Sequence, residues 1–199
     1  MPTTYAHYKF GKEVLSALPR PLQNSIEAHR ELFDIGLHGP DILFYYNALK
    51  KDPVNEQGHT LHEQFADEFF HHAVEVIEKA KDPAAARAYI YGFICHFALD
   101  SECHPYVEKI MQVGRVSHNE IEMELDRMML TEDYHDPLRY LTAKHIQPKM
   151  EYAEVIAPFF KDVTAEQIYK ALKGMVFYHK LFLAPTSGKR KALFLGMKA

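Results

Sequence analysis

The chain has 199 residues, of which 47% are hydrophobic, and its formal net charge is -4 at pH 7 with histidine counted as neutral. This length and apolar content suffice for one buried core and are short for two, so we expect a single domain over residues 1–199. Lys and Arg form no long basic stripe, only the short run 189–191. The composition therefore argues against nucleic acid as a stable partner.

Signals for cell compartment are few. The chain begins with no basic segment followed by an apolar run, and no stretch has the length of a transmembrane helix. Cys95 and Cys103 are eight residues apart in one predicted helix, which separates them by roughly 12 Å of rise, too far for a disulfide. We therefore expect a cytoplasmic location.

Helix start and stop signals recur along the chain, and no strand pattern competes with them, so we predict an all-α fold. Pro21 fits the first turn of a helix that ends at Gly36. Asp82 and Asp136 each precede a proline and are typical N-caps. We predict helices over residues 5–17, 21–35, 60–80, 83–104, 118–130, 137–146, 149–160 and 165–183.

Two capping boxes and one long gap complete this outline. Ser117 with Glu120, and Thr164 with Gln167, have the spacing at which two side chains satisfy the free amides of a first helical turn. Residues 36–58 are rich in Gly and Pro and are predicted to be irregular. Irregular segments of that length in a compact domain are usually functional or disordered.

The strongest chemical signal is a row of three ligand-type side chains. His96, Asp100 and His104 follow one another at intervals of four, so each lies about one turn beyond the last on nearly the same helix face. The row could be a solvated face, but it continues the apolar run 89–99, and a buried aspartate needs partners. Asp100 can reach towards both histidines, as a carboxylate bridging two metal ions would. Pro105 is expected to end this helix.

Further candidates lie on both sides of the row. His118 and Glu122 are also four apart and could chelate one ion from one helix face. Upstream, His7 stands near the start of the chain and Asp41 lies in the irregular segment. His62 opens the following helix, with His59 just before it.

In their order along the chain, these residues resemble the zinc-dependent phospholipase C family, which is related in fold to single-strand-specific zinc nucleases. The resemblance covers about the first 120 residues. It rests on an early His, a loop Asp, a His, then His-x3-Asp-x3-His and His-x3-Glu. It implies an all-helical bundle that uses two or three zinc ions to hydrolyse a phosphodiester.

The resemblance also implies how the ligands divide. Asp41, His96 and a histidine at position 59 or 62 would hold one zinc, with Asp100 bridging from it to another. His62 is favoured because it stands inside the predicted helix, whereas His59 stands at its edge.

Two further sites follow from the same comparison. His104, His118 and Glu122 would hold a second zinc, and His7 would hold a third together with the bridging aspartate. In secreted members of the family an amino-terminal tryptophan also binds the third zinc. This chain has no tryptophan, and the amine of Pro2, exposed by removal of the first residue, could replace it.

The resemblance indicates a phospholipid or another phosphodiester as substrate, with transient contact to a membrane surface. Asp41 is the candidate to orient or deprotonate the attacking water. Two alternatives stay open: a zinc nuclease or nucleotidase, for which the aromatic residues 44–46 could stack a base, and a non-catalytic metal-binding protein. The remaining histidines are interpreted as surface or core residues: His29, His38, His71, His72, His135, His145 and His179.

Overall fold

The computed structural model of the protein describes residues 4–198, without the side chains of residues 194, 197 and 198. Within this range the chain forms α-helices, two short 3-10 helices and no strand, which confirms the all-α prediction. The 3-10 helices span Gly39–Tyr45 and Ala157–Phe159. The α-helices are α1 (Thr4–Ala17), α2 (Arg20–Glu27), α3 (Arg30–Gly36), α4 (Pro53–Glu63), α5 (Ala66–Lys79), α6 (Pro83–Val113), α7 (His118–Glu132), α8 (Met150–Ile156), α9 (Ala165–Phe182) and α10 (Ser187–Lys198).

Helix α6 forms the axis of the fold, and α1, α2, α3, α5, α7 and α8 all contact it. Its apolar run supplies Tyr89 and Phe93 to the main hydrophobic core. The closest approach is to α3, where Gly36 and Gly92 face one another. A Cβ atom on Gly92 would collide with the Phe33 carbonyl oxygen, so the two backbones can touch only because neither glycine has a side chain.

The predicted N-caps explain where several helices begin. The Asp82 carboxylate accepts hydrogen bonds from the amides of residues 84 and 85 at the start of α6. Both predicted capping boxes are present, at Ser117 for α7 and at Thr164 for α9. A third capping box, between Asp52 and Asn55, starts α4 and was not predicted.

The prediction that α6 ends at His104 is wrong. The helix continues through Pro105 to Val113. Proline removes one backbone hydrogen bond but leaves those of its neighbours, and Val107 beyond it is buried. Packing of this extension therefore outweighs the local cost of the proline.

Two predicted helices are each divided in the structure. Residues 21–35 form α2 and α3, which are separated at His29, where the backbone leaves the helical region. Residues 60–80 form the end of α4 and all of α5, because Gln64 and Phe65 adopt extended conformations. Neither break contains glycine or proline, so the sequence carried no local signal for it.

Two other segments also differ from prediction. Residues 36–58, predicted to be irregular, contain a 3-10 helix and most of α4. Residues 137–146, predicted to be a helix, form a series of turns. Asp136 does accept a hydrogen bond from the Leu138 amide, but Thr142 and His145 then turn inwards to bond distant histidines. These tertiary contacts hold the segment out of a helix.

The observations that bear on compartment are limited. Cys95 and Cys103 both lie in α6 as free thiols. Among residues 4–198, the structure has no helix with the length and apolar character that crossing a bilayer requires. The cytoplasmic location stays a prediction.

We predict that Gly92→Ala lowers the free energy of unfolding by about 1–3 kcal/mol, because the added methyl group forces α3 away from α6. Urea denaturation followed by circular dichroism measures this change. Gly188→Ala in α10 is the matched control, since its Cβ would meet nothing within 4 Å. An equal effect of the two substitutions would contradict the close contact.

Candidate metal centre

The carboxylate of Asp100 lies among four histidine rings near the middle of α6. Its Oδ1 atom is 3.3 Å from Nε2 of His7. Its Oδ2 atom is 3.4 Å from Nε2 of His96, 3.7 Å from that of His62 and 3.9 Å from that of His104. The two oxygens of one buried carboxylate thus face different histidines. The bridging role of Asp100 stays a prediction.

The eight residues predicted as ligands fall into three groups in space. Within each group the potential ligand atoms lie within 4.8 Å of one another. Zinc binds His nitrogen and carboxylate oxygen at about 2.0–2.2 Å, so this spacing is close to that of ligands on one ion. The groups are His7, His96 and Asp100; Asp41, His62 and His96; and His104, His118 and Glu122.

Unsatisfied polar atoms indicate that this cluster suits a cation. Nε2 of His7, His62, His96 and His104 is buried and has no hydrogen-bond partner among the described residues, and the same holds for one oxygen each of Asp41 and Asp100. Buried polar atoms in folded proteins are otherwise almost always paired. Divalent cations bound by the three groups would satisfy these atoms.

The protonation states of the central residues also suit a cation. Burial, reinforced by the nearby His7, lowers the pKa of His96 to about 4, so its ring is neutral at pH 7. Burial alone would raise the pKa of Asp100, but His7 and the other surrounding histidines lower it to about 2. Neutral imidazole and ionised carboxylate are the forms that bind metal.

Five elements deliver these side chains: the 3-10 helix Gly39–Tyr45 and helices α1, α4, α6 and α7. Helix α6 carries three of the candidate ligands, His96, Asp100 and His104. The connection from α6 to α7 brings His118 close to His104, and their ring centroids are 5.6 Å apart. Gly39, at φ +47°, lies against the ring of His96, where a Cβ atom would collide. It thereby allows the 3-10 helix carrying Asp41 to approach α6.

Helix α1 is held at its first turn by a carboxylate from α7. The amides of Tyr5 and Ala6 donate to the two oxygens of Asp126 over 3.0 and 2.9 Å. This cap fixes the beginning of α1 and hence the position of His7, whose ring stacks on His96 at 4.3 Å. No local sequence pattern predicted the role of Asp126, because the contact joins residues about 120 positions apart.

The structure distinguishes His62 from His59. His62 Nδ1 lies 2.7 Å from the carbonyl oxygen of Gly58, so this nitrogen is the donor and carries the proton. Its Nε2 lone pair is then directed to Asp41, 3.1 Å away. His59 is exposed and packs its ring on Phe44 instead. A second hydrogen bond that fixes the tautomer is typical of metal-binding histidines.

A cleft of about 510 Å³ opens over the cluster. Asp41, His62, His104, His118 and Glu122 line one part of it. Phe44 and Tyr45 line another, together with His179. The volume lies in the range of small-ligand sites, and the wall combines aromatic rings with a few converging polar groups, as such sites do.

Three histidines interpreted as surface or core residues form a layer beside the cluster. Nε2 of His38 lies 2.7 Å from Nε2 of His145, and both rings are buried. His179 bonds Thr142 through Nδ1 at 2.8 Å and Tyr45 through Nε2 at 3.0 Å. Of the three, only His38 could be suspected from the sequence to lie near the site, because it precedes Asp41 by three residues. The other two come from distant segments and could not be placed from sequence.

The sequence profile of the zinc dependent phospholipase C family matches residues 6–174. The chain belongs to this family. The resemblance inferred from ligand order is thus confirmed, and the matched region contains all eight predicted ligands, from His7 to Glu122. No curated protein and no solved structure matches the chain. Family membership and the three ligand groups together support a zinc-dependent hydrolase of the phospholipase type.

We predict that protonation of His179 destabilises the fold in acid. Burial lowers its pKa in the folded state to about 4, against about 6.5 in an unfolded chain. The unfolded state therefore binds the proton first, and stability is lost as pH falls from about 6.5 towards 4, by up to roughly 1.4 kcal/mol per pH unit.

Urea denaturation at several pH values tests this. In His179→Gln the slope of unfolding free energy against pH between 6.5 and 4 should be smaller than in the wild type, whatever the overall loss of stability. His71→Gln, at an exposed position on α5, is the control and should keep the wild-type slope. Equal slopes in all three proteins would refute the assignment.

Proposed function

We propose that this protein is a phospholipase C-type phosphodiesterase that uses two or three zinc ions held around Asp100. The observation that carries the proposal is the convergence of three ligand groups on one buried carboxylate at the base of an open cleft. A purely structural zinc site needs only four ligands and no opening. Eight candidate ligands, five of which line the cleft, therefore favour catalysis over structural metal binding.

The proposed ligand assignment follows the groups. Asp41, His62 and His96 would hold one ion, with Asp100 shared between it and a neighbour. Their burial ranges from full for His96 to partial for Asp41. This first ion would therefore be enclosed by α6 on one side and open to the cleft on the other.

Two further ions complete the proposed centre. His104, His118 and Glu122 would hold the second, at the junction of α6 and α7. His7 and the shared carboxylate would hold the third. The amine of Pro2, a candidate to complete this third site, lies outside the described residues.

Bound zinc would polarise the phosphoryl oxygens and make a water molecule acidic enough to ionise near neutral pH. Hydrolysis forms a bond between phosphorus and the water oxygen and breaks the ester bond to the glycerol oxygen. The leaving glycerol oxygen takes up a proton and departs as the alcohol, while the water gives up a proton. Asp41 is the proposed acceptor, because it lines the cleft and one of its oxygens has no hydrogen-bond partner among the described residues. His62, whose Nε2 atom lies 3.1 Å from that oxygen, would bind the same zinc ion and so help to position Asp41.

The aromatic wall of the cleft bears on the substrate. Phe44 stacks near His59 and His62, and Tyr45 is held by His179. These rings could contact a phospholipid head group, and they could equally stack a nucleotide base. Membership of the phospholipase C family favours a phospholipid as the substrate. The activity test below also examines whether the protein is a nuclease.

We predict that wild-type protein purified without added metal contains two or three zinc ions per chain and that Asp100→Asn loses most of them. The substitution keeps the side-chain volume but removes the charge shared between ligand groups. Mass spectrometry of metal content measures this. Glu102→Gln, an exposed change on the same helix, should keep the wild-type content. Equal zinc in both variants would contradict the shared carboxylate.

We predict that wild-type protein releases a phosphorylated head group from phosphatidylcholine, and that Asp41→Asn lowers kcat by roughly 100- to 10,000-fold, as expected on loss of a group that accepts a proton. Glu63→Gln, a neighbouring change in the cleft wall, serves as the control. Single-stranded DNA is assayed beside the lipid. Cleavage of DNA alone would establish the nuclease alternative, and full zinc with neither activity would establish non-catalytic metal binding.

A further inference from the structure

The charges of this chain are strongly segregated. Residues 167–199 contain seven of its 23 Lys and Arg residues and none of its 27 Asp and Glu residues. That segment has a formal charge of +7, whereas residues 1–166 have a formal charge of -11. Such asymmetry within one chain is typical of proteins that bind a polyanionic surface.

On α9, cationic and apolar side chains share one exposed face. Lys170, Lys173, Phe177, Lys180 and Leu181 recur at intervals of three and four, and we call this set the α9 ridge. Phe177 is 58% exposed and Leu181 is 40% exposed. The opposite face of α9 is buried in the core. The ridge therefore lies away from the core, although Lys170 also donates to the side chain of Asn47 and lies over the ring of Tyr46.

Helix α10 extends the same character. It begins with the basic run 189–191, and its Leu195 is 68% exposed. Lys189 Nζ donates to the carbonyl oxygen of Lys180, and Arg190 donates to that of Ala184, which ties α10 to the end of α9. The family profile ends at residue 174, so most of this basic, apolar region lies outside the matched part of the chain.

The α9 ridge adjoins the candidate metal centre. Tyr45 lines both the cleft and a surface depression formed with Leu49, Lys173 and Phe177. Leu49 is 87% exposed, and its neighbour Lys50 is exposed as well. A flat anionic surface lying on the ridge would therefore meet the protein beside the cleft.

We propose that the α9 ridge and α10 bind the surface of an anionic phospholipid bilayer. Lysine and arginine are attracted to acidic head groups, while exposed Phe and Leu side chains enter the boundary between head groups and acyl chains. Single-stranded nucleic acid is less well matched, because its binding sites are grooves in which aromatic rings stack bases, whereas the ridge is the convex face of a helix. This proposal does not depend on hydrolysis.

The test is flotation of the full-length protein with phosphatidylcholine vesicles, with and without phosphatidylserine, at low and high salt. Wild type should bind the vesicles that contain phosphatidylserine, and salt should weaken the binding. A variant with Lys173→Gln, Lys180→Gln and Arg190→Gln should bind on the order of 100-fold more weakly, since each cation near the surface contributes roughly fivefold. Phe177→Ser with Leu181→Ser should lower binding about tenfold or more.

Matched controls separate this surface from overall charge and from catalysis. Lys79→Gln, Lys81→Gln and Arg87→Gln together remove the same charge from exposed positions elsewhere and should leave binding unchanged. Asp41→Asn should also bind as wild type does, so vesicle binding and hydrolysis are read independently. Equal losses in the two triple variants, or no preference for phosphatidylserine, would overturn the proposal. Tight binding of a single-stranded oligonucleotide that the ridge variant loses would instead assign the surface to nucleic acid.

Discussion

A buried carboxylate surrounded by histidines is the constraint on which the rest of this structure depends. Removing an ionised aspartate from water is costly unless charges or donors around it compensate. Here Asp100 faces His96 and His104 of its own helix, together with His7 and His62 from two other helices. Helices α1, α4 and α6 must therefore meet at this point, and metal binding there would be coupled to their packing.

The close packing of α3 on α6 makes this meeting possible. Facing glycines bring the two backbones together, and Gly39 then lets the following 3-10 helix run past His96 with Asp41. The cluster is consequently closed on the side of α6 and open towards the cleft. On the far side of Tyr45, the cationic α9 ridge continues the same surface. We propose that the acidic body and the basic end of the chain have different physical tasks, metal binding and attraction to an anionic surface.

Local patterns predicted the features whose geometry is set within a few residues. The α6 row and the His118–Glu122 pair could be placed because helical periodicity fixes the direction of residues four apart. The caps at Asp82, Ser117 and Thr164 follow from hydrogen bonds inside a single turn. Prediction was wrong where contacts with distant residues outweigh the local preference. At Pro105 the helix continues, because Val107 beyond it is buried. Residues 137–146 do not form a helix, because Thr142 and His145 form hydrogen bonds with other segments.

The sequence by itself thus determined the helical class, the order of the candidate ligands and the family. These depend on spacing along the chain, which is covalent. Tertiary structure alone decided that His62 rather than His59 faces Asp41, that Asp126 caps α1, and that His38, His145 and His179 form a layer beside the cluster. These contacts join residues far apart in sequence, and their geometry depends on how whole helices pack, which no short pattern specifies.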